Sequence, residues 1–183
     1  MSLKKNLLSL SKSEPAAEIH FFDESRFGTH SKIGHGWFNK GERPSMRIKL
    51  GFENFYIYSS VHASTGEDFS LIMPQVNTQC MNIFLDHLSR KANGRQIVLV
   101  MDGAAWHKSK GLKVPRNIKI IFLPPYSPEL NPVERLWNYL KSKIIKNKIY
   151  ESLEDLYIAV CSFIRQLDTA LVKSICSARY LTR

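Results

Sequence analysis

Apolar residues follow two different patterns along the chain, and the pattern changes near residue 77. Before that point, short apolar-rich segments are separated by turn sequences, which is typical of an antiparallel meander of strands. These segments are 18–25, 46–52, 54–63 and 69–73. The first part of the chain therefore predicts β-hairpins.

From residue 77 onwards, helical stripes alternate with apolar runs. Residues 97–101 (IVLVM) include no polar residue, which is typical of a strand buried on both faces, and 117–124 is a further strand candidate. Apolar positions with helical spacing occur at 77–94, 132–148, 152–167 and, more weakly, 169–178. Hairpins followed by this alternation predict an α/β fold in which helices cover a mixed sheet.

Two acidic residues stand where apolar strands end. Asp23 follows the apolar residues of the first strand, and Asp102 follows the run 97–101. Ligands of such sheets bind beyond the carboxyl ends of parallel strands, so the two carboxylates face each other if their strands are parallel neighbours. Asp102-Gly103 is also ordinary turn chemistry, so this pair alone leaves a turn and a site both open. By strand alternation, Glu24 is expected to point away from Asp23.

A third acid lies at the start of a helix, in the sequence NPVERLWNYLKSK. Asn131 is suited to the N-cap, Pro132 to the first helical position, and Glu134 then falls in the first turn. Glu134 has two interpretations at this stage. It is either a capping residue that reaches back to Asn131, or a metal ligand whose negative charge the helix N-terminus stabilises.

The three acids lie in sequence blocks that occur in a recognisable order. The blocks are DES after the first strand, MDGAAWHKS after the second, and LPPYSPELNPVERLW at the helix start. Together with the opening DESRFGTHSKIGHGWFNKGERP, they resemble the catalytic domain of the mariner-like superfamily of DDE transposases, in its bacterial insertion-sequence branch. The resemblance covers about residues 18–145. It implies a ribonuclease H-like fold with a five-stranded sheet, three strands antiparallel and two added in parallel, flanked by helices.

The resemblance also implies the chemistry of the site. It assigns Asp23, Asp102 and Glu134 as the catalytic and metal-binding triad, with Asp23 between two ions. Such all-oxygen ligands suit Mg²⁺, with Mn²⁺ as a substitute, and two ions about 3.5–4 Å apart suit phosphodiester chemistry. The implied reaction is water attack at transposon ends, after which the freed 3′-hydroxyl attacks target DNA.

The expected domain organisation is an N-terminal tail or linker at 1–17 and a catalytic domain at 18–183. The helix-turn-helix region with which the family reads transposon ends is not found in this sequence, so we expect it to be fused elsewhere or supplied separately. The resemblance further implies a dimer on DNA. No function is predicted for 149–183.

The charge of the chain favours a nucleic-acid partner. Lysine and arginine number 26 against 16 acidic residues, a formal net charge of +10. Basic runs follow each of the three acids, and they predict contacts to DNA phosphates. The predicted nucleic-acid-binding residues are Arg43, His107, Lys108, Lys110, Lys113, Arg116 and Lys141. A solvated helix face is the alternative for the lysines at 141–148, a hydrogen-bonded structural role for His107, and core packing or base stacking for Trp106.

Three scattered cysteines without a C-x-x-C pair argue against a disulfide framework and a cysteine-rich zinc site. They favour a reducing cytoplasm. The resemblance implies a bacterial cytoplasm, with association to the nucleoid when the protein is bound to DNA. No apolar run approaches the ~20 residues of a membrane span.

Two other functions remain open from the sequence. A ribonuclease H-type or junction-cutting nuclease uses similar acids on a similar fold. A degenerate or domesticated copy keeps the basic surface and binds DNA without cutting it.

Overall fold

A computed structural model describes Leu7 and residues 16–32, 39–41, 45 and 49–177. Its strands are β1 (Glu18–Gly28), β2 (Asn54–His62), β3 (Asp68–Met73), β4 (Ile97–Met101) and β5 (Ile118–Phe122). Its helices are α1 (Thr78–Ala92), α2 (Val133–Ile144), α3 (Leu153–Arg165) and α4 (Thr169–Cys176).

The five strands form one mixed sheet in the order β3-β2-β1-β4-β5. β1, β2 and β3 pair antiparallel, whereas β4 is parallel to β1 and β5 is parallel to β4. This confirms the predicted α/β class and the ribonuclease H-like sheet. The predicted segment 46–52 is different: residues 49–52 are not in a strand, and 46–48 lie outside the described residues.

The two faces of the sheet are covered by different helices. On one face, Phe22, Tyr58 and Leu99 pack against Phe84 and Leu85 of α1. The opposite face packs against α2, α3 and α4. Its cluster includes Phe21, Phe27, Ile57, Val98, Val100, Leu136, Trp137, Leu156, Val160 and Val172. Since neighbouring strand residues point to opposite faces, consecutive residues of β1 serve different layers.

Helix ends follow local sequence signals. Asn77 caps α1 by accepting from the N–H of Cys80, and Asn93 ends that helix in the left-handed conformation, with φ of 48°. α2 ends at Ile144, four residues before its predicted end. Asn147, at φ of 57°, donates its N–H to the carbonyl of Lys32 at 3.1 Å, so the chain leaves the helix to pair with that segment.

Most of the predicted tail, residues 1–15, lies outside the described residues except for Leu7, which is buried in the α2 face of the core. The boundary at residue 17 stays a prediction. Within the described ranges, no helix has the length and apolar character needed to span a bilayer. The three cysteines are free thiols.

Candidate active site

The three predicted acids line a single cavity of about 390 Å³. Asp23 comes from β1, Asp102 from the loop after β4, and Glu134 from the first turn of α2. The parallel register of β1 and β4 pairs Phe21 with Val100, and its continuation by two residues sets Asp102 beside Asp23. Asp23 lies in the middle of β1, which continues to Gly28 and ends three residues later than predicted, whereas Asp102 directly follows β4, so the two carboxylates meet where β4 ends.

Asn131 positions the start of α2, and with it Glu134, near Asp23. Its buried amide donates from Nδ2 to the carbonyl of Phe22 at 2.8 Å and accepts from the N–H of Val133 at 3.2 Å. One side chain thus joins the start of α2 to the residue before Asp23. The N–H of Asn131 donates to the carbonyl of Pro128, and no hydrogen bond from the described part of the chain reaches the Glu134 carboxylate. The capping interpretation of Glu134 is therefore wrong.

Asp23 is buried beside other acids. Its Oδ2 accepts a hydrogen bond from Trp137 Nε1 at 2.8 Å. Burial, together with the charges of Glu134 and Glu24, raises the pKa of Asp23 to about 7. Trp137 is buried in the core, as its place on the apolar stripe of α2 predicts, and it also orients Asp23. It lies three residues after Glu134, hence on nearly the same side of α2, and this spacing is the sequence signal for its role.

Asp102 is held by the short 3₁₀ turn that follows it, Ala105–Lys108. Asp102 Oδ1 lies 2.8 Å from His107 Nδ1 and accepts from the N–H of Ala104 at 3.2 Å. The contact with His107 is the main reason why the pKa of Asp102 is lowered. The other ring nitrogen of His107, Nε2, lies 2.8 Å from Glu24 Oε1.

His107 is positioned to carry two protons. Its Nδ1 faces the carboxylate and the carbonyl oxygen of Asp102, and its Nε2 faces Glu24, so both nitrogens meet acceptors. Burial alone lowers the pKa of His107, but the hydrogen bonds to Asp102 and Glu24 outweigh it and raise the pKa to about 9.

These contacts correct one prediction and confirm another. The His107 side chain is 1% exposed and both its nitrogens are occupied, so the prediction that it contacts DNA phosphate is wrong and the structural alternative is correct. Glu24 points away from Asp23, as strand alternation requires, and its side chain is 7% exposed. Trp106 is half-buried and donates from Nε1 to the same Glu24 oxygen at 3.0 Å.

The predicted DNA-binding residues are divided between different surfaces. Lys108 lines the cavity of the three acids, and its ammonium lies over the Phe122 ring. Lys141 lines a second cavity of about 480 Å³, together with Arg26, His30 and Lys32. Burial is the main cause that lowers the pKa of Lys141, and Lys32 adds to it, whereas Glu134 and Asp23 act in the opposite direction. The second cavity is therefore both basic and close to the acids.

Lys110, Lys113 and Arg116 are exposed but do not line the cavity of the acids. Their loop is bonded to α1, since the N–H of Lys113 donates to Asn82 Oδ1 at 2.7 Å. Arg43 lies outside the described residues.

A second group of possible metal ligands lies near the start of β1. Among the described residues, Glu18, His20 and His62 are the one set of three whose ligand atoms all lie within 4.8 Å of one another. However, the two imidazole rings are stacked at an interplanar angle of 15°, so their in-plane lone pairs do not converge. Both oxygens of Glu18 also accept from Arg95. This group is a hydrogen-bonded ion-pair network rather than a metal centre.

Comparison with known proteins identifies the family. The family of DDE superfamily endonucleases matches residues 18–157. An uncharacterized protein of Sinorhizobium fredii (strain NBRC 101917 / NGR234), y4pE/y4sA, is 37% identical over 108 residues, which cover 58% of this chain and 80% of the relative. The uncharacterized 39 kDa protein of insertion element IS630 from Shigella sonnei is 29% identical over 153 residues, which cover 79% of this chain and 44% of that protein.

The fold is also that of a solved transposase. The Mos1 mariner paired end complex with Mn superposes with a TM-score of 0.73 at 15% identity, covering 98% of this chain and 58% of the Mos1 chain. The separate catalytic domain of Mos1 mariner transposase gives a TM-score of 0.63, also at 15% identity, over 97% of this chain and 84% of that domain. This chain thus spans little more than half of the Mos1 chain in that complex. Because the family match extends over most of its length, the chain belongs to the DDE superfamily endonucleases, and its fold is that of a DNA transposase catalytic domain.

Proposed function

We propose that this domain cuts the ends of a DNA transposon and joins the freed 3′-hydroxyl ends to target DNA, with Asp23, Asp102 and Glu134 as its catalytic and metal-binding residues. The observation that carries the proposal is the meeting of these three acids, from β1, β4 and α2, on one cavity. The residues lie far apart in the sequence, and like charges gathered on one cavity without a function would repel one another.

The residues around the cavity fit divalent cations. Repulsion between Asp23 and Glu134 contributes to the raised pKa of Asp23, and a cation between them removes that repulsion. The two described groups that donate to the Asp102 side chain, the N–H of Ala104 and His107 Nδ1, both contact Oδ1, which leaves Oδ2 for a ligand. An all-oxygen donor set suits Mg²⁺ or Mn²⁺.

Two ions are proposed here because phosphodiester chemistry is suited to a pair of divalent cations. The ligand atoms of the three acids do not all lie within 4.8 Å of one another in the metal-free arrangement of the described residues. When bound, a pair of such ions activates the attacking water or 3′-hydroxyl and stabilises the leaving oxygen. Asp23, Asp102 and Glu134 would hold these ions, and Asp23 would be the ligand common to both.

The neighbouring residues orient the acids and attract the DNA backbone. Trp137 holds one oxygen of Asp23, and Asn131 sets the position of Glu134 relative to β1. Lys108 in the first cavity and Lys141 in the second add positive charge on two sides of the acids. Such charges bind phosphates without reading sequence, so end recognition is assigned to a helix-turn-helix region, fused or separate, and end pairing to a dimer on DNA.

Plasmid cleavage tests the triad. Asp102→Asn and Glu134→Gln are each expected to reduce Mg²⁺-dependent nicking of supercoiled DNA by at least about 100-fold, because each removes a ligand from the ions that stabilise the transition state. Glu129→Gln is the matched control, since Glu129 is an exposed acid five residues before Glu134 that does not line the cavity. Its nicking rate is expected to stay within about twofold of the wild type. If a triad variant cuts at the wild-type rate, the residue that it replaces is not part of the catalytic triad.

A second assay separates a transposase from a nuclease. Precut duplexes that end in the terminal repeats of the parent element are incubated with a target plasmid and Mn²⁺. Covalent joining of the duplex to the plasmid supports transposition. Nicking without any joined product, by the full-length protein, favours a junction-cutting or ribonuclease H-type nuclease instead.

A further inference from the structure

We propose that Glu24 and His107 are positioning residues that hold Asp102 by one carboxylate oxygen, so that Asp102 presents only Oδ2 to a cation. The inference rests on the proposed function only in taking Asp102 as a ligand. Neither Glu24 nor His107 reaches the cavity itself, because Glu24 points to the opposite face of the sheet and His107 is buried.

The contacts of the Asp102 carboxylate are confined to one of its two oxygens. Oδ1 lies 2.8 Å from His107 Nδ1 and accepts from the N–H of Ala104, whereas no described residue donates to Oδ2. His107 Nδ1 also lies 3.2 Å from the backbone carbonyl oxygen of Asp102, so one ring nitrogen contacts both the side chain and the main chain of this residue. The Asp102 side chain is 59% exposed, and without these contacts it would rotate freely in the cavity.

His107 is itself held in place. Its Nε2 lies 2.8 Å from Glu24 Oε1, and its ring packs edge-on against Phe22 at a centroid distance of 5.7 Å. Trp106 Nε1 donates to the same oxygen of Glu24. Ligand-orienting hydrogen bonds of this kind are part of metal sites in general, and their loss typically weakens metal affinity by about 10- to 100-fold.

In this arrangement, two consecutive residues of β1 contribute to the site in different ways. Asp23 reaches the cavity directly from one face of the strand. Glu24, the next residue, leaves from the other face and reaches Asp102 through His107. The separation of Asp23 and Asp102 is therefore set twice, once by the pairing of β1 with β4 and once by this relay of side chains.

The affinity of the metal-free protein for Mn²⁺, measured by calorimetry without DNA, tests the inference. His107→Phe keeps a ring against Phe22 but removes both donors, and we expect the dissociation constant for Mn²⁺ to rise by about 10- to 100-fold. His107→Asn restores a donor near the place of Nδ1 and is expected to recover part of that loss. His87→Phe is the matched control, because His87 is an exposed histidine on α1 and its change should leave Mn²⁺ affinity as it is.

Loss of folding is separated from loss of positioning by a double variant. His107→Phe leaves the Glu24 carboxylate buried without its partner, so Glu24→Gln is combined with it to remove the charge. Circular dichroism verifies that each variant is folded before titration. Wild-type Mn²⁺ affinity in the folded double variant overturns the inference, as does His107→Asn binding no better than His107→Phe.

Asp102→Asn, titrated in parallel, distinguishes the two proposals. If Asp102→Asn weakens Mn²⁺ binding and the His107 variants do not, the positioning role fails while the proposed function stands. If Asp102→Asn binds Mn²⁺ like the wild type, Asp102 is not a ligand and both proposals fail.

Discussion

Burial favours the protonated form of the Asp23 side chain, whereas cation binding requires its carboxylate form. Burial and the Glu134 charge favour the protonated acid and raise its pKa from 3.8 to about 7. The hydrogen bond from Trp137 favours the carboxylate but only partly offsets them. A cation removes the conflict, so the metal-free protein carries an unfavourable charge at this position that the metal-bound protein does not.

This conflict predicts how stability depends on pH. Between pH 4 and pH 7 the folded protein keeps the Asp23 proton that the unfolded chain has lost, so the contribution of Asp23 to the free energy of unfolding falls as the pH rises. At about 1.4 kcal/mol for each tenfold change in proton affinity, the loss is at most about 4 kcal/mol. Urea unfolding in EDTA at pH 5 and pH 8 measures it.

Asp23→Asn is the control for that measurement, because asparagine still accepts from Trp137 but does not ionise. The variant is expected to be more stable than the wild type at pH 8, and to differ less at pH 5. Added Mg²⁺ should stabilise the wild type at pH 8 and have little effect on the variant. Equal pH dependence in the two proteins would show that Asp23 is not the group responsible.

Among the elements, β1 is central to the site, and the side chains of Arg95 and Asn131 join it to the neighbouring elements. Arg95, just before β4, binds Glu18 at the start of β1 and Glu67 in the turn before β3, each at 2.9 Å. At the other end, Asn131 binds the carbonyl of Phe22 and the start of α2. The first contact supports the strand pairing that aligns Asp23 with Asp102, and the second brings in Glu134.

Asn131→Ala is expected to lower the free energy of unfolding by about 1–3 kcal/mol, since it leaves the buried carbonyl of Phe22 without its donor. Mn²⁺ affinity should fall as well, because the first turn of α2 is no longer held beside Asp23. Asn138→Ala, at an exposed position of the same helix, is the comparison and should change neither quantity by much. Denaturant titration and calorimetry measure the two effects, and an Asn131 variant as stable as Asn138→Ala would contradict this role.

At the scale of the whole molecule, the three acids of the first cavity lie in a chain that is otherwise strongly basic. The net charge is +10, yet the three acids of the cavity are adjacent to one another. Arg26, His30, Lys32 and Lys141 form a basic cavity next to them. The positive charge therefore attracts a polyanion to this surface. Divalent cations bound by the acids are then needed to hold a phosphate over the carboxylates.

We expect DNA binding by this domain to weaken steeply with salt and to depend little on sequence. Lys141→Gln should lower the slope of log affinity against log salt concentration by about one, as the loss of one phosphate contact requires. Lys173→Gln is the charge-matched comparison, because the backbone of Lys173 lies against Gly66 in the turn between β2 and β3, away from the acids. Fluorescence anisotropy with a labelled duplex gives both slopes, and equal slopes would exclude Lys141 from the DNA-binding surface.

Local sequence pattern was sufficient for most of the elements and for the α/β class, although residues 49–52 are not the strand that it predicted. The period of apolar residues predicted the buried strand 97–101, the helix that begins after Asn77 and the order of hairpins before helices, because each depends on neighbours within a few residues. Alternation along β1 also predicted that Asp23 and Glu24 leave from opposite faces. The resemblance to a family added the sheet topology and selected the three acids, whose catalytic role stays a proposal.

Contacts between distant segments were decided only when the chain folded. His107 had two interpretations, a phosphate contact or a hydrogen-bonded structural role, and only the parallel pairing of β1 with β4 brings it to Glu24, 83 residues away in sequence. Trp137 likewise meets Asp23 across 114 residues. A local period determines which face of an element a residue occupies, and it does not determine which partner that face will meet. Strand order and register decide the partner, and here they bring His107 to Asp102 and Trp137 to Asp23, where each orients an acid.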